Sequence, residues 1–193
     1  MIAFLVDGHM EQLIVQRVCP GKAVRLIGLN GRDVAIAAIA KRISTLFRLL
    51  NNRYFPVVVI IDREERDRTS EEIEADLKAE FVALGLPLDQ FLGLPLDQFI
   101  VGIADRTIEN WILGDPACGC RSVVGQCYEG SNGKAELKQL CKENDVTYNE
   151  TTMGVDLFCG VNPNTVVRSS PSFGRLAGEL RAHCQWLRQR LVA

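Results

Sequence analysis

The stretch Val57-Val58-Val59-Ile60-Ile61-Asp62-Arg63-Glu64 (VVVIIDRE) decides the fold. Five β-branched apolar residues in a row leave no polar face, which suits a strand buried on both sides in the middle of a parallel sheet. Asp62 stands where that strand emerges. In open α/β sheets, ligands and metals are held at the carboxyl edge of the strands. The function of the chain depends on whether other acids reach the same edge.

Upstream, Ile2 to Val6 is a short apolar run closed by Asp7-Gly8. Glu11 to Val18 has helical spacing at Leu13, Ile14 and Val18, and Pro20-Gly21 stops it. Ala23 to Ile27 is expected to be a second strand, ending in the turn-rich GLNGRD. Asp33 is the expected cap of a helix through Leu50, with Ile36, Ile39, Ile43, Leu46, Phe47 and Leu50 on its apolar side. VVVIIDRE follows as the third strand. Thr69 or Ser70, with a glutamate three residues on, predicts a capping box and a helix to about Leu84.

Downstream, the octapeptide LGLPLDQF occurs twice in tandem, at 84–91 and 92–99. Two short copies cannot stack a core, and Pro87 and Pro95 oppose a helix, so a duplicated loop is expected. Phe99 to Ala104 is the fourth apolar run and ends in Asp105. A helix carrying Thr107, Glu109, Asn110 and Trp111 follows, closed by Asp115-Pro116. Beyond it come an irregular segment, a helix over 134–144, another over about 151–161, and a last one from Ser170-Pro171 to about Leu191. Leu176, Leu180, Cys184 and Leu187 share one face of that last helix.

Four strands, each followed by a helix, predict an α/β fold. It is a four-stranded, mainly parallel sheet flanked by helices, with a C-terminal helical cap. Residues 1–116 are expected to form the α/β core and 117–193 a helical extension packed on it in the same domain. The length of 193 residues suffices for one sizeable core. The net charge of -2 excludes a global basic footprint, so contact with nucleic acid would need a metal or a local patch. No apolar run is long enough to span a membrane. The N-terminus lacks the basic start of a signal peptide, and a cytoplasmic location with reduced thiols is expected. Cys118-Gly119-Cys120, with Cys127 and Cys141 nearby, matches no standard zinc spacing and is taken as ordinary loop and core residues.

In a parallel layout the strand ends share one edge. Asp7 follows the first strand, with Glu11 a turn later. Asp62 and Glu64 follow the third, and Asp105 the fourth, with Glu109 a turn later. Clustered carboxylates repel and raise one another's pKa values. A hard divalent cation relieves that cost, and metal-assisted phosphodiester chemistry is the natural use of such a site. No dinucleotide or P-loop fingerprint follows the first strand. His9 is read as an incidental turn residue.

These residues resemble the Toprim family, found in topoisomerases, bacterial primases and overcoming-lysogenization-defect nucleases. The resemblance lies in Val6-Asp7-Gly8 with Glu11, in Asp62-Arg63-Glu64, and in Asp105-Arg106-Thr107-Ile108-Glu109-Asn110-Trp111. The Gly133-Lys134 helix start and Ser170-Pro171-Ser172-Phe173 also look like small stand-alone bacterial members, often encoded beside ATPases in phage-defence settings. Two departures stand out: Asp7 replaces the usual Glu, and Glu64 an Asp. The resemblance implies an Mg²⁺- (or Mn²⁺-) dependent nuclease acting on DNA or RNA. Asp62, Glu64, Asp105 and Glu109 would hold metal, Asp7 and Glu11 would serve as catalytic acid or base, and Arg63, Arg66 and Arg106 would bind phosphate. The alternative is a non-catalytic subunit of the same fold that binds a partner ATPase or nucleic acid, with Trp111 and Trp186 as candidate contacts. A phosphohydrolase on small esters shares the metal argument.

Overall fold

The computed structural model describes residues 1–50, 53–86, 99–117 and 126–192. The tandem octapeptides, apart from residues 84–86 and 99, lie outside these residues, as do Cys118 and Cys120.

Strands β1 (Ala3–Val6), β2 (Ala23–Leu26), β3 (Val57–Asp62) and β4 (Phe99–Ala104) form one all-parallel sheet in the order β2-β1-β3-β4. Helix α1 (His9–Val18) joins β1 to β2, α2 (Ile36–Leu49) joins β2 to β3, and α3 (Ser70–Ala83) follows β3. After β4 come α4 (Glu109–Leu113), α5 (Gly133–Glu143), a π-helical turn (Glu150–Gly154), α6 (Val155–Gly160), α7 (Pro163–Ser169), α8 (Pro171–Leu180) and α9 (Gln185–Arg190).

Alternation along each strand divides the core in two. Phe4, Val6, Val58, Ile60, Ile100 and Ala104 face α1, α4 and the C-terminal helices. Ala3, Leu5, Val57, Val59, Ile61, Phe99, Val101 and Ile103 face α2 and α3. This two-sided burial is why VVVII carries no polar position. Each such Val or Ile taken out of water contributes about 1.5–3 kcal/mol. Gly102 fits the packing of α8 on β4, since a Cβ there would lie 2.7 Å from Leu176.

From β1 the chain steps outward to β2, then back past β1 to β3. Right-handed crossovers in opposite directions put their helices on opposite faces, and α1 and α2 do pack on opposite faces. The helices part between β1 and β3, and the crevice at such a switch point is where open sheets bind ligands.

Thr69 caps α3, its side chain accepting from Glu72 N at 3.2 Å while Glu72 Oε2 accepts from Thr69 N at 2.8 Å. Asp33 does not cap α2, which starts at Ile36 after Ala35. The preceding chain is held in a turn instead, with Val34 N bonded to Gly31 O and Arg66 donating to Gly31 O. The last predicted helix is two helices. The amides of His183 and Cys184 both turn back to Leu180 O, and Cys184 is extended, which still buries Leu176, Leu180, Cys184 and Leu187. Trp111 is no docking residue, being 1% exposed with its Nε1 donating to Ser172 Oγ at 2.8 Å. Trp186 stacks on Phe158, under the Arg190 guanidinium. Among the described residues, no helix is long and apolar enough to cross a membrane.

Candidate metal centre

Asp7 leaves the end of β1 and Asp62 ends the neighbouring β3, the two strands that flank the switch point. The amide of Asp7 donates to Ile60 O at 3.0 Å, which extends the ladder one residue past Val6 and sets Asp7 opposite Ile61, next to Asp62. Past Asp62 the chain stays tied to β4: Arg63 N donates to Ala104 O at 2.9 Å and Glu64 N to Arg106 O at 2.8 Å. Glu64 and Arg106 both have left-handed backbones, at φ 58° and 66°, a conformation that costs a side-chain-bearing residue about 1 kcal/mol or more. That turn takes Glu64 out of the strand while its carboxylate stays with the other two. One oxygen each from Asp7, Asp62 and Glu64 lie within 4.8 Å of one another, and all three residues are half-buried.

The triad opens into a cleft of about 350 Å³ also lined by His9, Glu11, Thr107, Glu109, Lys134 and Glu150. Glu11 and Glu109 are 6% and 3% exposed. Glu11 Oε2 accepts from Gly8 N at 3.0 Å, and Glu109 Oε1 from the Tyr148 hydroxyl at 3.1 Å. Lys134 Nζ lies 2.7 Å from Glu150 Oε1. Gly133 seats this lysine's helix, because a Cβ there would collide with the Asn110 amide.

Burial, reinforced by Glu11, Asp7, Glu109 and Glu64, drives the Asp62 carboxyl well above the usual range. Burial raises Asp7 too, against the opposing hydrogen bond from Asn30 and the charge of Arg66. Burial and the nearness of Asp7 raise Glu64. Glu11 is pushed up to about 7, by burial first and then by Asp7 and Glu109. Burial alone would lower Lys134, but the bond to Glu150 and the charges of Glu109 and Asp62 raise it.

A cation fits this donor set. Asp62 Oδ1 is shielded from solvent and accepts no hydrogen bond, a costly state for a carboxylate unless a positive ion faces it. The cleft is lined by six carboxylates and one lysine among the described residues. Such a balance draws cations and repels a bare phosphate. All-oxygen donors suit a hard ion over a soft one.

Of the acids expected from sequence, Asp7, Glu11, Asp62, Glu64 and Glu109 line one cleft, and Asp105 does not. Asp62 pairs in register with Ala104, which sets Asp105 opposite Arg63, one residue out of phase. Alternation sends both to the α3 side of the sheet. There Arg63 Nε and Asp105 Oδ1 form an ion pair with both side chains nearly buried, near Arg68 and Glu129.

Two of the arginines expected to hold phosphate are occupied as well. Arg63 binds Asp105 and Arg66 O. Arg66 is 8% exposed and donates to Asn30 Oδ1 at 2.6 Å, Gly31 O at 2.7 Å and Arg63 O at 3.0 Å. Arg106 Nε is buried and makes no hydrogen bond. Arg68 pairs with Asp76.

Asn30 was not foreseen. Its Nδ2 donates to Asp7 Oδ2 at 2.6 Å and to Asp62 O at 2.9 Å, bridging the two strand ends. The available signal was its place after β2, on the same edge as the acids. Lys134 and Glu150 reach the cleft from beyond α4, and Tyr148 bonds Glu109 at its wall; of the three, only Lys134 was marked in the sequence, by the Gly133-Lys134 helix start. No protein-family model matches the chain, nor does any curated protein or solved structure.

Proposed function

We propose that this chain is a Toprim-like, divalent-metal-dependent phosphodiesterase that cleaves nucleic acid. The observation that carries the proposal is the meeting of Asp7, Asp62 and Glu64 at the switch point, with Asp62 Oδ1 buried and unpartnered. These three residues would hold the ion. Bound there, Mg²⁺ or Mn²⁺ supplies a Lewis acid for a phosphoryl oxygen and lowers the pKa of a bound water.

The chain's own groups divide the remaining work. Glu11 titrates near neutrality, at about 7, so its carboxyl can take up or release a proton at working pH. Lys134, paired with Glu150, lines the cleft with His9 and Thr107 and would exchange that partner for a phosphate. Asn30 and Arg66 orient Asp7 from behind. The choice of a nucleic-acid phosphodiester over a small phosphate ester follows the resemblance of Val6-Asp7-Gly8 and Asp62-Arg63-Glu64 to the Toprim family.

The test is incubation of the purified protein with plasmid DNA and with tRNA, with Mg²⁺ or Mn²⁺ and with chelator. Metal-dependent cleavage, lost in Asp62→Ala, is expected. Turnover of a small chromogenic phosphate ester without nucleic-acid cleavage overturns the substrate class. A protein inert on all substrates, whose melting temperature divalent ions do not move, overturns the metal reading altogether.

A further inference from the structure

Cys19 closes α1 and Cys184 opens α9, 165 residues later in the chain. Both are buried, at 4% and 1% exposure. Both line an apolar cavity of about 40 Å³ beneath Trp111, Phe158 and Leu187. The Cys184 Sγ lies 3.7 Å from Val18 O, the carbonyl just before Cys19, and each thiol shifts the ionisation of the other. The other described cysteines are placed differently: Cys127 is exposed, Cys141 Sγ lies 4.0 Å from Met153 Sδ, and Cys159 is beside Arg17.

We propose that Cys19 and Cys184 are an oxidation site that closes reversibly into a disulfide, tying the end of α1 to the start of α9. The pair is chemically unequal, which decides the role of each sulfur. The nearness of Cys19, the amides of Leu187 and Trp186 and the charge of Arg188 hold the Cys184 thiol down at about 7, while Cys19 is held above its ordinary value. Cys184 is therefore the more readily ionised, attacking thiol, and Cys19 the resolving one.

With hydrogen peroxide as oxidant, the Cys184 sulfur attacks one peroxide oxygen and the O–O bond breaks. Cys184 becomes a sulfenic acid, and the departing hydroxide takes up the proton Cys184 released. The Cys19 sulfur then attacks the sulfenic sulfur. The S–O bond breaks, and hydroxide leaves with the Cys19 proton as a second water. Two thiols are oxidised and one peroxide is reduced to two waters. Access requires local opening of α9, a six-residue helix that packs chiefly on α7, and short elements with few contacts open at low free energy. The proposal stands independently of the metal reading.

The experiment uses the full chain, reduced and then exposed to dilute hydrogen peroxide, blocked with iodoacetamide and digested with trypsin without reductant. Cleavage after Arg17, Lys22, Arg181 and Arg188 isolates each of these cysteines in a peptide containing no other. The expected result is one linked pair of peptides carrying Cys19 and Cys184, with the loss of two hydrogen masses. It should be reversed by dithiothreitol and accompanied by a rise of several degrees in melting temperature. Alkylation of both thiols after peroxide overturns the proposal. So does a bridge from either cysteine to a different one, or over-oxidised Cys184 beside alkylated Cys19. The primary result is read on the unmutated protein, so no outcome depends on a variant folding.

Discussion

Asn30 Nδ2 lies 2.6 Å from Asp7 Oδ2, and its Oδ1 accepts from Arg66 at 2.6 Å. One amide thus fixes one lone pair of the Asp7 carboxylate and is itself fixed by a buried guanidinium. The same Nδ2 holds the backbone of Asp62, so β1 and β3 are clamped at the point where their acids meet. Outer partners of this kind set the orientation of metal-binding carboxylates.

Replacing Asn30 with Ala should therefore loosen the site without emptying it of acids. The expected effect is a loss of about tenfold or more in Mn²⁺ affinity, measured by calorimetry. An unchanged affinity would remove Asn30 from the site.

Asp62→Asn tests the cost of the buried charge. The variant keeps the shape and removes a carboxylate that no hydrogen bond satisfies at Oδ1. The metal-free protein should become more stable, by about 1–3 kcal/mol, while its thermal response to Mg²⁺ disappears. Denaturant melts with and without metal check both halves, and a destabilised variant that still responds to metal contradicts the assignment.

The raised carboxyls set a pH dependence of definite sign. Glu11 in the folded chain holds its proton up to about 7, against an ordinary value of 4.5. The folded state therefore binds more protons between those values. The stability this contributes is full below 4.5 and is lost as pH rises through 7, by up to about 3 kcal/mol. The Asp62 shift has the same sign. Metal-free protein should melt at a lower temperature at pH 8 than at pH 5.5, Glu11→Gln should flatten that slope, and Mg²⁺ should stabilise more at pH 8. Thermal melts across this range decide it, and a metal-free melting temperature that climbs with pH rules it out.

Asp105 separates a ligand from a structural ion. Its partner Arg63 is nearly buried, so Asp105→Asn should destabilise the fold by about 2–3 kcal/mol. Mn²⁺ affinity should stay within about a factor of two, since Asp105 does not line the cleft. A fold left intact with metal affinity abolished would return Asp105 to the metal site.

The legible part of the centre was the set of strand-end acids. A carboxylate just after an apolar run lies at the carboxyl edge whatever the strand order, so Asp7, Asp62 and Glu64 were marked by local pattern alone. Asp105 carried the same mark, but its side chain pairs with Arg63 and lies outside the cleft, a long-range contact that no local pattern reveals. Arg63 and Arg66 were expected to bind phosphate, since sequence does not reveal which long side chains fold back onto carbonyls.

By itself, then, the sequence determined the layer architecture. VVVII has no polar face and must be covered on both sides, and the alternation of strand and helix makes the sheet parallel. Only the tertiary structure decided which ends are neighbours. The order β2-β1-β3-β4 sets Asp7 beside Asp62, and chain from distant positions brings Asn30, Lys134 and Tyr148 to them. The physical reason is range. Burial and periodicity act within a segment, whereas strand order and register arise from contacts between segments whose separation along the chain leaves no local trace.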